Sequence, residues 1–301
     1  MRDPLILYVC KGQLFLKLCI LSIRSLQRFN YKNIIVIVSN ESERKYLKSF
    51  YKDLHIDIRE IDLMGYNAWC WRPFILENYD FPDNSNEIVI CDVDILWKID
   101  PKELFNRFEG KNWFHKITFI NPNLIDSYKD YKQVPSRLIG MKNMVMYRDN
   151  IGIKTYPNFI INGGLYMMKK ENISRIYKKL CEAIKKMPSK YIMTEALLSI
   201  IMAEYKIIPI CDEEDIKHNS KLNFDKKLVK FNIVNKDINK VNGYKYATHY
   251  HGDQRIFMCI EALKLKIDKD FFFISLIPIF FIKNLNIKNR IKKIYNIAFK
   301  N

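Results

Sequence analysis

The order strand–helix–strand–helix–strand over residues 5–61 predicts an α/β fold built on a Rossmann-type sheet flanked by helices. Two further observations support this class. The strand candidates are continuous apolar runs, as strands covered on both faces must be. Gly (9) and Pro (10) are too scarce for a turn-dense all-β chain of 301 residues.

Leu5–Cys10 is a short apolar run of strand type, and Leu14 to Arg28 places Leu14, Phe15, Leu18, Leu21 and Leu26 opposite Lys17, Arg24, Gln27 and Arg28, an amphipathic helix. Ile34 to Val38 is an aliphatic, β-branched run, Glu41 to Tyr51 reads as helix, and Ile56 to Ile61 alternates as a strand. Such an alternation implies parallel strands with right-handed crossovers and a nucleotide-binding half at about 1–110. Neither GxGxxG nor GxxxxGK[ST] occurs, so neither a dinucleotide fingerprint nor a P-loop is supported. Pro73 opens a helix to Tyr79, and Glu87 to Cys91 is the next strand. Asn158 to Lys170 reads as one strand with a glycine pair inside it. Helices follow near 171–187 and 194–205, then a strand at Ile207 to Ile210. Residues 211–246 are polar, rich in Lys and Asn, and read as a loop or lid. With residues 111–157 they are the expected acceptor-selecting segments of a second half, about 111–270.

Lys plus Arg is 50 against 33 acids, a net of +17, which favours a polyanionic partner: nucleic acid, an anionic membrane face or a phosphorylated substrate. Six of those net charges lie in residues 271–301, which contain no acid and repeat Leu285, Ile287, Ile291, Ile294 and Ile297 near helical spacing. A basic amphipathic tail of this kind suits an anionic membrane surface. No apolar run reaches the roughly 18 residues a membrane span needs. Seven cysteines with no CxxC argue for reduced thiols in a cytosol, so the expected location is cytoplasmic and peripheral on a membrane's inner face.

Asp92-Val93-Asp94 ends the apolar strand Glu87–Cys91. In an extended segment residues i and i+2 point the same way, so both carboxylates can meet on one hard cation such as Mg²⁺ or Mn²⁺. Ligands of open α/β sheets bind beyond the carboxyl ends of strands, which is where this pair falls. His249 or His251 can complete such a shell with an imidazole. Gly163 and Gly164 mark close backbone approach by a ligand or a bulge. Arg72 opens a helix and suits a phosphate or a carboxylate, or else packs on a tryptophan face. Glu195 begins another helix as a candidate carboxylate or as an N-terminal acid favoured by the helix dipole, Lys11 after the first strand either touches a phosphate or lies on the surface, and Tyr8 near that strand's end is the remaining candidate for the donor. The acids at 212–215 read as a solvated loop.

Four stretches, in order, resemble the GT-A glycosyltransferases of family eight, the retaining enzymes that include glycogenin and lipopolysaccharide galactosyltransferases. Arg72 through Asp92-Val93-Asp94 to Ile99-Asp100-Pro101-Lys102-Glu103-Leu104-Phe105 resembles the DxD region. Asn162-Gly163-Gly164-Leu165-Tyr166 resembles the Asn-Ala-Gly-Val strand, and Thr194-Glu195-Ala196-Leu197-Leu198-Ser199 resembles the Asp-Gln-Asp-x-Leu-Asn helix. His249-x-x-Gly252-x-x-Arg255 resembles the closing His-x-x-Gly-x-x-Lys-Pro-Trp. The resemblance implies a GT-A-like α/β mixed sheet, a nucleotide-sugar donor such as a UDP-sugar, and Mn²⁺ or Mg²⁺ held by Asp92, Asp94 and His249. It implies donor contacts from Arg72, Asn162, Gly163, Gly164 and Arg255, and catalytic roles for Glu195 and Asp94. A glycan or lipid-linked acceptor in lipopolysaccharide or capsule synthesis is expected, with no nucleic-acid partner. The competing readings are a nucleic-acid-binding protein or metal-dependent nuclease, and a silent scaffold that keeps the fold. The chain departs from the family pattern at Arg255-Ile256-Phe257 and at Thr194-Glu195-Ala196.

Overall fold

The computed structural model describes residues 3–50, 56–61, 71–82, 85–135, 138–152, 155–187, 193–211, 247–250 and 255–267. Its first half runs β1 (Leu5–Cys10), α1 (Gln13–Gln27), β2 (Ile34–Val38), α2 (Glu41–Phe50), β3 (Asp57–Glu60), α3 (Trp71–Asn78), β4 (Glu87–Cys91), β5 (Ile95–Trp97) and α4 (Pro101–Phe108). The second half continues with β6 (Trp113–Phe114), β7 (Ile117–Phe119), α5 (Asn123–Asp126), α6 (Ile139–Ile151), β8 (Phe159–Ile161), β9 (Leu165–Lys169), α7 (Lys170–Lys185) and α8 (Thr194–Glu204). It closes with β10 (Ala247–His249) and α9 (Arg255–Lys264).

The central sheet has the order β3-β2-β1-β4-β9-β6. β1, β2, β3 and β4 are mutually parallel, while β9 runs antiparallel to β4 and to β6. The sheet is therefore mixed, as expected. β1 is buried along its whole length, and its residues alternate between two cores. Leu5, Leu7 and Val9 join the core beneath α3, α6, α7 and α8, while Ile6, Tyr8 and Cys10 join the core beneath α1, α4 and α9. Covering both faces explains why the strand is apolar throughout. Local chemistry sets the helix starts. Pro101 occupies the first turn of α4, and the Asp100 carboxylate accepts from the Lys102 amide at 3.0 Å.

Two expectations are corrected. Asn158 to Lys170 forms two strands in different sheets, because the chain turns at Asn162-Gly163-Gly164, where the Asn162 side chain accepts the Gly164 amide at 2.9 Å. Ile207 to Ile210 contributes a single bridge, Ile210 to Trp113, because its partner β6 has two residues and Pro209 brings no amide hydrogen. All of the expected lid at 211–246 except Cys211, together with the basic tail at 271–301, Trp69, Cys70, His251 and Gly252, lies outside the described residues.

Register brings distant segments to one edge. Cys10 pairs with Val38 and Tyr8 with Cys91, so β1, β2 and β4 end along the same rim. Leu165 pairs with Cys91, which delivers the Asn162–Gly164 turn to that rim. β5 leaves it and pairs antiparallel with β10, matching Ile95 to His249.

Candidate active site

The apolar run of β4 stops at Cys91, and the next amide, that of Asp92, donates to the Gly164 carbonyl at 2.7 Å. The chain then turns at Val93-Asp94 before β5, so the acidic triplet is not the extended segment expected from its spacing. Residues Ile95 to Trp97 are fully apolar and buried, and pulling them under β10 forces the reversal. The Tyr250 amide donates to the Asp94 carbonyl at 2.8 Å and locks β10 against that turn.

Each aspartate divides its two oxygens. Asp94 Oδ2 accepts from Arg255 Nε at 2.8 Å, and its Oδ1 faces His249 Nε2 at 3.2 Å. Asp92 Oδ1 pairs with Arg72 Nη2, while its Oδ2 lies 3.8 Å from His249 Nε2. Arg72 Nη1 also donates to the Gly163 carbonyl at 3.0 Å. Asp94 and His249 are 2% and 5% exposed, so both ionisable groups sit away from water. Burial opposes the charged form of Asp94, but the hydrogen bond and charge of His249, with the Arg255 charge, outweigh it and hold the carboxyl down at about 2. Burial likewise opposes the charge on His249, and the hydrogen bond and charge of Asp94, with the Asp92 charge, raise its pKa.

One atom from each of Asp92, Asp94 and His249 lies within 4.8 Å of the others. Two carboxylate oxygens and an imidazole nitrogen are a donor set for a hard or borderline divalent cation such as Mg²⁺ or Mn²⁺.

The glycine pair is shaped by these neighbours. A Cβ at Gly164 would stand 2.5 Å from His249 Cε1 and 2.8 Å from its Nδ1. A Cβ at Gly163 would stand 3.2 Å from Glu195 Cγ, so the Asn162–Gly164 turn runs between the histidine and the glutamate. Ser199 Oγ donates to the Glu195 carbonyl at 2.7 Å and accepts the Ile161 amide at 3.1 Å, tying the first turn of α8 to the end of β8. The buried Asn143 side chain of α6 accepts the Met193 amide at 2.8 Å, an N-terminal cap lent to α8 by another helix.

The structure thus brings together Asp92, Asp94, His249, Arg72, Arg255, Gly163 and Gly164, with Asn162 and Glu195 alongside. Tyr8 is placed elsewhere: it is wholly buried, and its hydroxyl pairs with Ser22 at 2.8 Å inside the core. Lys11 is exposed at the end of β1. The first turn of α1 borders the site, because the Arg255 guanidinium stands over the Phe15 ring at 5.0 Å. Phe15, Asn143 and His115 are site neighbours that the sequence motifs did not single out. His115 follows β6, and its ring meets the His249 ring edge-on at 5.5 Å. The one sequence signal at His115 is the apolar-to-polar step after Trp113-Phe114.

No protein-family model matches the sequence, and neither does any curated protein. Three solved structures similar to the chain are glycosyltransferases at low identity. Galactosyltransferase LgtC in complex with donor and acceptor sugar analogs is 13% identical over 66% of this chain and 70% of its own, with a TM-score of 0.41. Mouse xyloside xylosyltransferase 1, in its apo form, is 13% identical over 70% of this chain and 85% of its own, with a TM-score of 0.42. The bifunctional glycosyltransferase WbbM is 10% identical over 67% of this chain and 38% of its own, with a TM-score of 0.42.

Proposed function

We propose that the chain is a metal-dependent glycosyltransferase that moves a sugar from a nucleotide-sugar, of the UDP type, to a glycan or lipid-linked acceptor in surface polysaccharide synthesis. One observation carries the reading: Asp92 and Asp94 each give one oxygen to an arginine and turn the other toward the same imidazole. Two guanidiniums beside such a cluster suit the oxygens of a diphosphate. The ordered motifs from Arg72 to Arg255 support the sugar-nucleotide class, and the basic residues of 271–301 support work at an anionic membrane face.

Asp92, Asp94 and His249 would hold Mn²⁺ or Mg²⁺, which when bound supplies positive charge to the departing nucleoside diphosphate. Arg255 adds a fixed charge beside Asp94 where that negative charge grows, and Arg72 does so beside Asp92. The Asn162–Gly164 turn, lacking side chains at its last two residues, floors the space for the sugar. Glu195, set behind Gly163, is the carboxylate that stabilises the developing positive charge at the anomeric carbon in a retaining transfer.

The test is a thermal-shift screen of nucleoside diphosphates with and without Mn²⁺, followed by sugar-nucleotide hydrolysis. Stabilisation by UDP that requires Mn²⁺, lost in Asp94→Ala together with hydrolysis, is the expected result. Wild-type turnover in Asp94→Ala overturns the metal assignment, and binding of no nucleotide by the wild-type protein overturns the function.

A further inference from the structure

His115 is completely enclosed and belongs to none of the four motif stretches. Its main-chain amide donates to the Leu165 carbonyl at 3.0 Å. Its ring Nδ1 lies 2.7 Å from that carbonyl oxygen and 3.0 Å from the Leu165 amide nitrogen. Either tautomer is held: a protonated Nδ1 donates to the carbonyl, and a bare one accepts the amide. The ring is thereby fixed to the first residue of β9.

The fixed ring faces His249 at an interplanar angle of 80°, with centroids 5.5 Å apart. Gly164, one residue before the anchor, closes another side of the His249 ring so tightly that a Cβ has no room there. The Asp92 and Asp94 carboxylates occupy the Nε2 side. Main chain at 164–165 therefore shapes the His249 cavity twice, directly through Gly164 and through the His115 ring held by Leu165.

We infer that His115 is a positioning residue: it fixes the direction in which His249 presents Nε2 to the point shared with Asp92 and Asp94. The inference rests on the metal-site reading above. Residues that orient a metal-bound imidazole typically change metal affinity by 10–100-fold.

Two variants divide the contacts. His115→Phe keeps a ring against His249 and loses the side-chain bonds to Leu165, whereas His115→Asn keeps a polar group for Leu165 and loses the ring. Titration of the full-length protein with Mn²⁺ alone, read by the electron paramagnetic resonance of free Mn²⁺, gives the affinity. Melting in chelator gives the stability. Both variants should bind Mn²⁺ about tenfold or more weakly. Leu47→Ala, in the buried face of α2, should melt lower and bind Mn²⁺ as the wild type does. Wild-type affinity in a folded His115 variant overturns the inference and leaves the metal site standing. Wild-type protein that binds no Mn²⁺ overturns both. Imidazole ¹⁵N signals of the unmodified protein, recorded during Mg²⁺ addition, decide the matter if neither variant folds: His115 and His249 should shift together, and an unmoved His115 signal overturns the inference.

Discussion

Replacing Gly164 by alanine tests the site with the smallest possible change. The new methyl would meet His249 Cε1 at 2.5 Å, whereas ordinary contact begins near 3.4 Å. The shortfall is about 0.9 Å, and it falls on the rigid ring of a residue only 5% exposed. His115 stands edge-on to that ring and Asp94 lies at its Nε2, so the imidazole must swing by most of the shortfall or the main chain must move. Overpacking of this kind costs about 1–3 kcal/mol of stability. A misplacement near 1 Å in a reacting constellation can cost about 100-fold in rate. The expected result is therefore a lower Tm, severely weakened Mn²⁺ binding and a kcat/KM for sugar-nucleotide turnover down by about two orders of magnitude. Gly163→Ala is the matched control. There the methyl meets Glu195 Cγ at 3.2 Å, a flexible side chain that must give by a few tenths of an ångström, and its three nearest neighbours all belong to Glu195. Its Mn²⁺ affinity should stay at the wild-type value. Calorimetric titration of both variants decides the point, and wild-type Mn²⁺ affinity in Gly164→Ala refutes the geometry on which the reasoning stands.

Three further outcomes are expected. Arg255→Ala removes one charged contact to the departing diphosphate, commonly worth about 3 kcal/mol, and should lower kcat by roughly two orders of magnitude in steady-state assays. Asp94 has its carboxyl lowered from 3.8 to about 2 on folding, so its stabilising effect is complete above pH 3.8 and is lost as pH falls through 2. Denaturant titrations in chelator should show a loss of about 2 kcal/mol across that window that is absent in Asp94→Asn, and parallel pH profiles of the two proteins would contradict it. Truncation after Asp270 should release the protein from vesicles of anionic lipid in a sedimentation assay, and undiminished binding would remove the tail from the membrane reading.

Much of the fold was legible because β1, β2 and β4 are buried on both faces, which leaves continuous apolar runs that composition alone exposes. Asp92 and Asp94 were legible for the same reason: charge following such a run is conspicuous. Their geometry was not, since the turn at Val93-Asp94 is imposed by β10, a partner more than 150 residues away. β5 and β10 have three residues each, too few to display a period. Tyr8 shows the opposite failure. Its place near the end of a strand pointed to the donor, but alternation along β1 turns it into the core, where Ser22 takes its hydroxyl. His115 left no motif because what makes it a site neighbour is the pairing of β6 with β9, together with a histidine that arrives much later in the chain.

That late arrival has a consequence for synthesis. All six strands of the central sheet are complete by Lys169, whereas His249 and Arg255 emerge from the ribosome roughly eighty residues afterwards. A nascent chain can therefore fold its scaffold while the acidic pair still lacks two of its partners. The pairing of β5 with β10 and the packing of α9 on the second core come last as well, so the acidic turn and its histidine and arginine partners are completed together.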